Sequence, residues 1–111
     1  MALQIKLLKE GTLATSEGDL YVVPTTKTAI VKSIRLVNTG SAAATVNLFV
    51  RHGSGGTSRQ IVPKNLTLPA GAALIDDSEI TLEGSTNADR IRGFVNSGGT
   101  VDCVISGVER E

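Results

Sequence analysis

The sequence predicts an all-β protein, a single antiparallel β-sandwich of about seven to nine short strands, either immunoglobulin-like or jelly-roll-like. The first observation behind this prediction is the stretch 20–50, in which the β-branched residues Thr, Val and Ile recur throughout. Their branched Cβ restricts the side chain in a helix and packs well on a pleated sheet. The second observation is that turn signals recur at roughly 8–12-residue spacing, as in sandwiches and barrels. No segment predicts a long helix.

The first half of the chain contains the clearest strand patterns. Near the N-terminus, Leu3, Ile5 and Leu7 occupy alternate positions, which is the pattern of a strand with one apolar face. A later strand closes at Pro24, because proline has no N–H to donate to a ladder. The longest strand runs into the turn Asn-Thr-Gly-Ser, and the next one leads to a glycine-rich hairpin tip. The strands expected here are 3–8, 12–15, 20–23, 28–38 and 44–52.

The second half is punctuated more heavily by turn residues. Pro63 separates two short segments, and the sequence Pro-Ala-Gly at 69–71 is a strong turn signal. Near the C-terminus, the sequence Ser-Gly-Gly at 97–99 predicts a hairpin that joins the last two strands. The strands expected here are 59–62, 66–68, 72–75, 79–83, 90–96 and 100–108.

Length and charge limit the classes of protein to which the chain can belong. With 111 residues it predicts one domain, 1–111, in which residues 1–9 form an arm or edge strand. Eleven basic residues balance eleven acidic ones, so the net charge is zero. This balance argues against a nucleic-acid partner, which needs clustered Lys or Arg, and it favours self-association.

The termini and the single cysteine exclude further classes. The segment MALQIKLLKEG is too short and too charged for a signal peptide, and no apolar run approaches the ~20 residues that span a bilayer. We therefore expect synthesis in the cytoplasm and no membrane partner. Cys103 excludes an internal disulfide, and its position in the pattern VDCVIS predicts a small core residue.

Both phenylalanines depart from the alternation of their strands. Val46, Leu48 and Val50 share one face of the strand 44–52, whereas Phe49 lies on the other face with Arg51. In the strand 90–96, Phe94 likewise shares the polar face with Arg90 and Arg92. Phenylalanine and arginine are both enriched at subunit interfaces. Two interpretations remain open: these five residues contact another subunit, or a loop, the second sheet or a β-bulge covers the rings. The five residues are Phe49, Phe94, Arg51, Arg90 and Arg92.

The glycine-rich segment 53–58 is a candidate contact loop, with His52 and Arg59 at its base. It lacks the Gly-Lys-Ser/Thr ending of a phosphate-binding loop and precedes no predicted helix. His52 is the only histidine, so no zinc ligand set can be completed, and it has no nucleophilic partner for catalysis. The sequence therefore predicts no catalytic residue, no metal site and no cofactor.

The densest acidic cluster is formed by Asp76, Asp77 and Glu79. Calcium takes six to eight oxygen ligands and often binds such loops, which leaves open whether a calcium ion sits near Asp76 and Asp77. The spacing matches no EF-hand loop, and solvated turn carboxylates explain the cluster equally simply.

The segments LYVVPTTKTAIVKSIRLVNTGSAAATVNLFV and LTLPAGAALIDDSEITLEGSTNADRIRGFVNSGGTVDCVISGVE together resemble small β-sandwich structural proteins of tailed bacteriophages. In that group a Tyr-x-Val-Pro turn precedes Lys-Thr-Ala-Ile-Val-Lys-Ser-Ile and Val-Asn-Thr, a Leu-Pro-Ala-Gly turn follows, and the chain closes on Ile-Ser-Gly-Val-Glu. The resemblance extends from about Gly18 to Glu109. The matching residues are Tyr21, Val23, Pro24, 27–34, 37–39, 68–71 and 101–109.

The resemblance implies a non-enzymatic virion component present in many copies. Such a protein is a capsid decoration, head–tail or tail-associated subunit, forms a homo-oligomer such as a trimer or ring, and binds other virion proteins. The implied location is the virion, and no catalytic residue is carried over. The alternative function is a β-sandwich module that binds a carbohydrate or a host surface, although the three aromatic residues of this chain offer few rings for stacking on sugars.

Overall fold

The structure, a computed structural model, describes residues 3–111, and every regular element in that range is a β-strand. Among these residues no helix has the length and apolar character that a membrane crossing needs. The ten strands are β1 (Leu3–Thr12), β2 (Gly18–Val22), β3 (Thr28–Asn38), β4 (Ala44–Arg51), β5 (Arg59–Gln60), β6 (Leu66–Leu68), β7 (Ala73–Asp76), β8 (Ile80–Glu83), β9 (Arg90–Val95) and β10 (Val101–Arg110).

The strands form two five-stranded antiparallel sheets. The first sheet has the order β1-β10-β3-β7, and β8 also pairs with β3. The second sheet has the order β2-β9-β4-β5, and β6 also pairs with β4. In each sheet the last position is shared by two short strands, because β7 and β8 pair with successive halves of β3, and β5 and β6 with successive halves of β4.

The order of pairing identifies the sandwich as a jelly roll. The strands pair as if the chain were one long folded hairpin: β1 with β10, β2 with β9, β3 with β7 and β8, and β4 with β5 and β6. Successive pairs alternate between the two sheets, which gives the double Greek key of a jelly roll. Of the two architectures that the sequence left open, the structure has this one.

The core lies between the sheets and consists mainly of aliphatic side chains. Val46 and Leu48 of β4 are fully buried on the face that the alternation predicted, as are Val101, Cys103 and Ile105 of β10. Burying a side chain of this size contributes about 1.5–3 kcal/mol, so the alternating pattern explains which face of each sheet turns inward.

Two predictions about local structure are wrong. The segment 12–15 is not a separate strand, because β1 continues to Thr12 and the chain then leaves the sheet. The last two strands do not form a hairpin, because β9 belongs to the second sheet and β10 to the first. The turn at Asn96–Gly99 is tight, with Gly99 N–H donating to Asn96 C=O at 3.0 Å, but it carries the chain between sheets. The structure has ten strands in the two packed antiparallel sheets, where the sequence predicted a sandwich of about seven to nine.

The N-terminal segment forms an edge strand of its own subunit. From Leu3 to Thr12 it pairs with β10, with a bulge between Leu7 and Lys9. The first two positions of the predicted segment 1–9 lie outside the described residues. Its outer edge has no partner strand within residues 3–111.

Candidate functional site

The two predicted interface phenylalanines stack on each other on the outer face of the second sheet. Phe94 lies opposite Asn47 in the ladder between β4 and β9, and Phe49 lies opposite Arg92. The ring centroids are 6.0 Å apart and the ring planes are inclined by 20°. Phe49 is 8% exposed although it does not belong to the core between the sheets, whereas Phe94 is half-buried. Phe94 therefore covers Phe49 and presents the accessible ring.

The three predicted interface arginines are paired with two carboxylates from the start of the second sheet. Arg51 Nη2 lies 3.2 Å from Glu17 Oε2, and Arg90 Nη1 lies 3.1 Å from Asp19 Oδ2. Arg92 contacts both: Nε lies 3.0 Å from Glu17 Oε2, without the alignment of a hydrogen bond, and Nη1 lies 3.2 Å from Asp19 Oδ1. These five side chains form a continuous ion-pair network beside the stacked rings.

Sequence reasoning missed both acidic members of this network. Asp19 lies opposite Arg92 in the ladder between β2 and β9, so its side chain shares the outer face. Glu17 lies before β2, and the loop that contains it places its side chain beside Arg51 and Arg92. Opposite charges on neighbouring strands were the available signal for Asp19, whereas no local pattern places Glu17.

A polar cluster continues this outer face beyond the rings. Asn47 is 2% exposed, donates to Asn65 Oδ1 at 3.0 Å and accepts from the Asn65 backbone N–H at 3.0 Å. Gln60 donates to the Val62 carbonyl at 2.8 Å. Because buried amides are costly unless they are hydrogen-bonded, this cluster holds β4, β5 and the following loop in one arrangement.

The predicted contact loop lies beside a groove of about 340 Å³ that His52 and Arg59 both line. The His52 side chain is 91% exposed, and its Nδ1 lies 2.7 Å from Asp89 Oδ1. The loop itself is tied down, because Asn87 Oδ1 accepts from Ser54 N–H at 2.6 Å and from Ser54 Oγ at 2.7 Å. The groove is therefore bounded by a fixed loop and an exposed imidazole.

The acidic cluster at the turn after β7 is engaged in local contacts. Asp76 accepts hydrogen bonds from the backbone and side chain of Ser78, and Glu79 forms an ion pair with Lys32. Within residues 3–111 no three side chains among His, Cys, Asp and Glu are grouped closely enough to hold a metal ion.

A second surface, which the sequence did not predict as a contact, covers the outer face of the first sheet. We call it the apolar face. Exposed aliphatic side chains project from β1, β7 and β10: Leu3 (64% exposed), Ile5 (83%), Leu7 (52%), Ile75 (54%) and Val104 (37%). Exposed Glu10 and Arg35, which both lie opposite Val104 in the ladders, share this face. Large aliphatic side chains exposed together on one side of a sheet often mark a contact surface.

The ladders show that these side chains share one face. Ile5 lies opposite Val108, which lies opposite Ile30, and the two residues of each pair point to the same side of the sheet. Leu7 lies opposite Ser106 in the same way. Two shallow grooves, of about 260 and about 320 Å³, adjoin Val108 on its two sides. The apolar face is therefore corrugated, with Ile5 as its most exposed side chain.

The buried carboxylate of Glu109 lies at one end of the sandwich. Glu109 of β10 is 2% exposed and accepts a hydrogen bond from the Tyr21 hydroxyl of β2, while Lys6 Nζ lies 3.0 Å from it and Lys27 Nζ 3.5 Å. Burial raises the pKa of Glu109, but the hydrogen bonds from Tyr21 and Lys6 and the charges of Lys6 and Lys27 outweigh burial and hold the pKa below its usual 4.5. Burial and Glu109 together raise the pKa of Tyr21.

Comparisons with known proteins give one weak structural likeness. No protein-family model matches the chain, and no curated protein matches it. Among solved structures, a chain of the "Structure of infectious bursal disease virus Gx strain" is similar, with 14% sequence identity and a TM-score of 0.44. The match covers 96% of this chain and 29% of that chain, so the present chain spans less than a third of its length. The fold assignment rests on the strand pairing described above.

Proposed function

We propose that this chain is a non-enzymatic structural protein of a phage virion, present in many copies as a capsid decoration, head–tail or tail-associated subunit. The single observation on which the proposal rests is the apolar face, where large aliphatic side chains are exposed on the outer side of the first sheet. A surface of this kind suits protein–protein contact, because burying it removes apolar area from water without ordering a flexible segment.

The sequence resemblance and the topology support the same class of function. The chain resembles small structural proteins of tailed phages from about Gly18 to Glu109. Jelly rolls are common in capsid proteins, although lectins and cupins share the architecture and a fold does not define a function. The combination of a jelly roll with a broad apolar outer face favours assembly over the other roles of this fold.

The outer face of the second sheet is the proposed contact with a neighbouring subunit or another virion protein. Phe94 offers a ring that is already positioned by Phe49, and the arginines are held by Glu17 and Asp19. Such pre-positioned side chains lose little entropy on binding. His52 and Arg59, beside their groove, form a second part of this proposed contact region.

The carbohydrate-binding alternative has less support from the geometry. Sugar-binding sites commonly stack aromatic rings on the sugar face, and the chain has three aromatic residues. Tyr21 and Phe49 are each 8% exposed, so Phe94 is the aromatic residue with accessible ring surface in the described chain. A single half-buried ring flanked by neutralised arginines forms no concave stacking platform.

The test is the protein composition of purified particles. Virions of the phage that encodes the chain are separated from free protein on a density gradient, and the chain is quantified against the major capsid protein by mass spectrometry. We expect it to co-migrate with intact virions in many copies per particle. Its presence in the lysate together with its absence from intact particles would overturn the proposal, whatever the oligomeric state of the isolated protein.

A further inference from the structure

We propose that β1 is a releasable arm, which leaves the edge of β10 and turns about Gly11 while the other nine strands of the described chain stay folded. The inference does not depend on the proposed function, because it rests on the burial and the contacts of one strand. It assigns the segment that moves, the hinge on which it turns and the side-chain contact that holds it closed.

The strand β1 contributes little to the core, since none of its ten residues is buried. Lys9 lies opposite Ile105 and Gly11 lies opposite Cys103, and both partners are fully buried. The two residues of a ladder pair point to the same side of a sheet, so the inner side of β1 carries a lysine and a glycine at core-facing positions. Leu8, at the bulge, packs partly against the core. The burial of apolar side chains, which drives folding, therefore holds β1 weakly.

The backbone ladder adds little net stability to a strand of this kind. Fixing the backbone of one residue costs about as much free energy as one backbone hydrogen bond returns in water, so a strand needs buried side chains to be held firmly. β2, the edge strand of the second sheet, has five residues against ten in β1. It nevertheless buries Tyr21, and Val23 directly after it is 2% exposed. We therefore expect the longer edge strand to open more easily than the shorter one.

The hinge is a glycine next to an anchored segment. Gly11 has a φ of +148°, a conformation that other residues rarely adopt. Leu13 is 6% exposed, and its N–H donates to the Val101 carbonyl at 2.9 Å. The Ala14 carbonyl accepts from the Val95 N–H at 2.9 Å, which fixes the chain to the second sheet. The chain is thus anchored from Leu13 onwards, and Gly11 is the residue that can change its φ at low cost.

Two side-chain contacts join β1 to the rest of the described chain. Lys6 Nζ lies 3.0 Å from Glu109 Oε1, and Gln4 Oε1 accepts a hydrogen bond from Lys27 Nζ at 3.2 Å. Release breaks both contacts, but Glu109 keeps the hydroxyl of Tyr21 and the ammonium group of Lys27. Because the buried carboxylate is not left without partners, the cost of release stays moderate. We call the contact between Lys6 and Glu109 the latch.

Release changes which strand forms the edge of the first sheet. The closed edge carries Lys6, Lys9 and a bulge, all of which hinder edge-to-edge pairing with other chains. The sheet has the order β1-β10-β3, so β10 becomes the edge strand when β1 leaves. The N–H and C=O groups of β10 that had bonded β1 are then free to pair elsewhere. The closed arm therefore protects the sheet, and its release removes that protection.

Hydrogen exchange of the full chain, resolved by residue with NMR, tests the release. We expect the protection factors of the β1 amides, including those of residues 9–12, to be at least about tenfold lower than those of β3. β10 contains its own control, because its amides that bond β1 should exchange with the arm while those that bond β3 stay protected. A smaller difference at residues 9–12 would overturn the inference, because the hinge would then not lie at Gly11. Equal exchange of all β10 amides would also overturn it.

A pair of substitutions tests the latch. Lys6→Met removes the ammonium group and keeps an unbranched apolar side chain, and Lys64→Met is the control for the loss of one positive charge, since Lys64 is exposed in the loop between β5 and β6. We expect Lys6→Met to lower the protection factors of residues 9–12 about threefold or more, and Lys64→Met to leave them unchanged. Equal protection in the two variants would show that Lys6 does not hold the arm.

A disulfide across the ladder gives an independent readout. Leu7 and Ser106 lie opposite each other on the outer face, at a spacing that a disulfide can bridge. In the variant Leu7→Cys/Ser106→Cys, trypsin should cut the reduced protein after Lys6 or Lys9 before it cuts after Arg35 of β3, and the oxidised protein should resist cleavage in β1. Cleavage in β1 at the same rate in both redox states would overturn the inference, because it would then not require release of the arm.

Discussion

The Tyr21 hydroxyl donates a hydrogen bond to the Glu109 carboxylate and so joins the second sheet to the first at one end of the sandwich. The two residues are 88 positions apart in the chain. The bond therefore ties together β2 and β10, two strands that are distant in sequence and belong to different sheets.

Removing this hydroxyl should destabilise the fold. Tyr21→Phe keeps the ring in the core but leaves the buried Glu109 with one hydrogen bond fewer, which we expect to cost about 1–3 kcal/mol. Urea denaturation followed by circular dichroism measures the loss. The single variant Glu109→Ala and the double variant Tyr21→Phe/Glu109→Ala complete a double-mutant cycle, because alanine cannot accept the hydrogen bond, and additive effects of the two substitutions would contradict a direct bond between the side chains.

The stability of the protein should fall in acid because of Glu109. Its pKa is lower in the folded protein than its usual 4.5, so the unfolded chain takes up the proton at a higher pH than the folded chain does. The stabilisation is therefore complete above about pH 4.5 and is lost as the pH falls through the folded pKa. Unfolding free energies measured from pH 7 to pH 3 should show this decrease, and Glu109→Gln should flatten it. A wild type and variant with the same pH dependence would assign the acid sensitivity to other groups.

A methyl group at Gly107 should disrupt the ladder between β3 and β10. A Cβ at this position would overlap the Ile30 carbonyl oxygen, where the register shifts between Ser106 and Gly107. We expect Gly107→Ala to lower the free energy of unfolding by about 1–3 kcal/mol, since the backbone must move to admit the methyl group. Gly55→Ala is the matched control, because a Cβ there meets nothing within 4 Å. Thermal denaturation distinguishes the two, and equal melting temperatures would show that the strand adjusts at no cost.

Cys103 should be inert towards thiol reagents in the folded protein. The side chain is fully buried in the core, and burial raises its pKa to about 11, although the charge of Lys9 opposes this shift. Because the thiolate is the reactive form, a maleimide at pH 8 should modify the protein only in denaturant. Mass spectrometry measures the modified fraction over time. Rapid modification without denaturant would indicate that β10 opens readily.

Phe94→Ser should weaken assembly through the second sheet. The ring is half-buried against Phe49, so its removal deletes the accessible aromatic surface and exposes the ring beneath. Size exclusion with light scattering should give a discrete oligomer for the wild type and a smaller species for the variant. Thr67→Ser, an exposed position on the same face, is the control. A variant with the wild-type mass and an unchanged melting temperature would show that Phe94 does not lie in the contact.

The positions of the strands could be predicted from the sequence because they depend on features of neighbouring residues. β3 and β6 begin and end where the alternation and the turn residues place them. The alternation also placed Phe49 and Phe94 on the face opposite the core residues Val46 and Leu48. In each case a period of two residues and a nearby turn were sufficient.

The pairing of the strands was not predictable, because a short turn fits either a hairpin or a crossing between sheets. The turn before β10 reads as a hairpin, yet β10 pairs with β1 and β3. The proximity of Glu17 to Arg51 and Arg92 depends on that long-range order, so no local pattern indicated it. The apolar face was not predicted for a related reason. The alternation of Leu3, Ile5 and Leu7 suggests a buried strand face, and only the register with β10 shows that these side chains lie on the outer face of the sheet.

Because β1 pairs with β10, β1 has no partner strand in its own chain until β10 has been synthesised. Of the ten strands, β1 leaves the ribosome before the others and its partner β10 after them, so β1 cannot be paired within its own chain until all ten strands have been synthesised. During that interval Leu3, Ile5 and Leu7 belong to a strand without a ladder. Because pairings of such high sequence separation form slowly, the closing of this outermost pair is the step in which the nascent chain depends most on being kept apart from its neighbours.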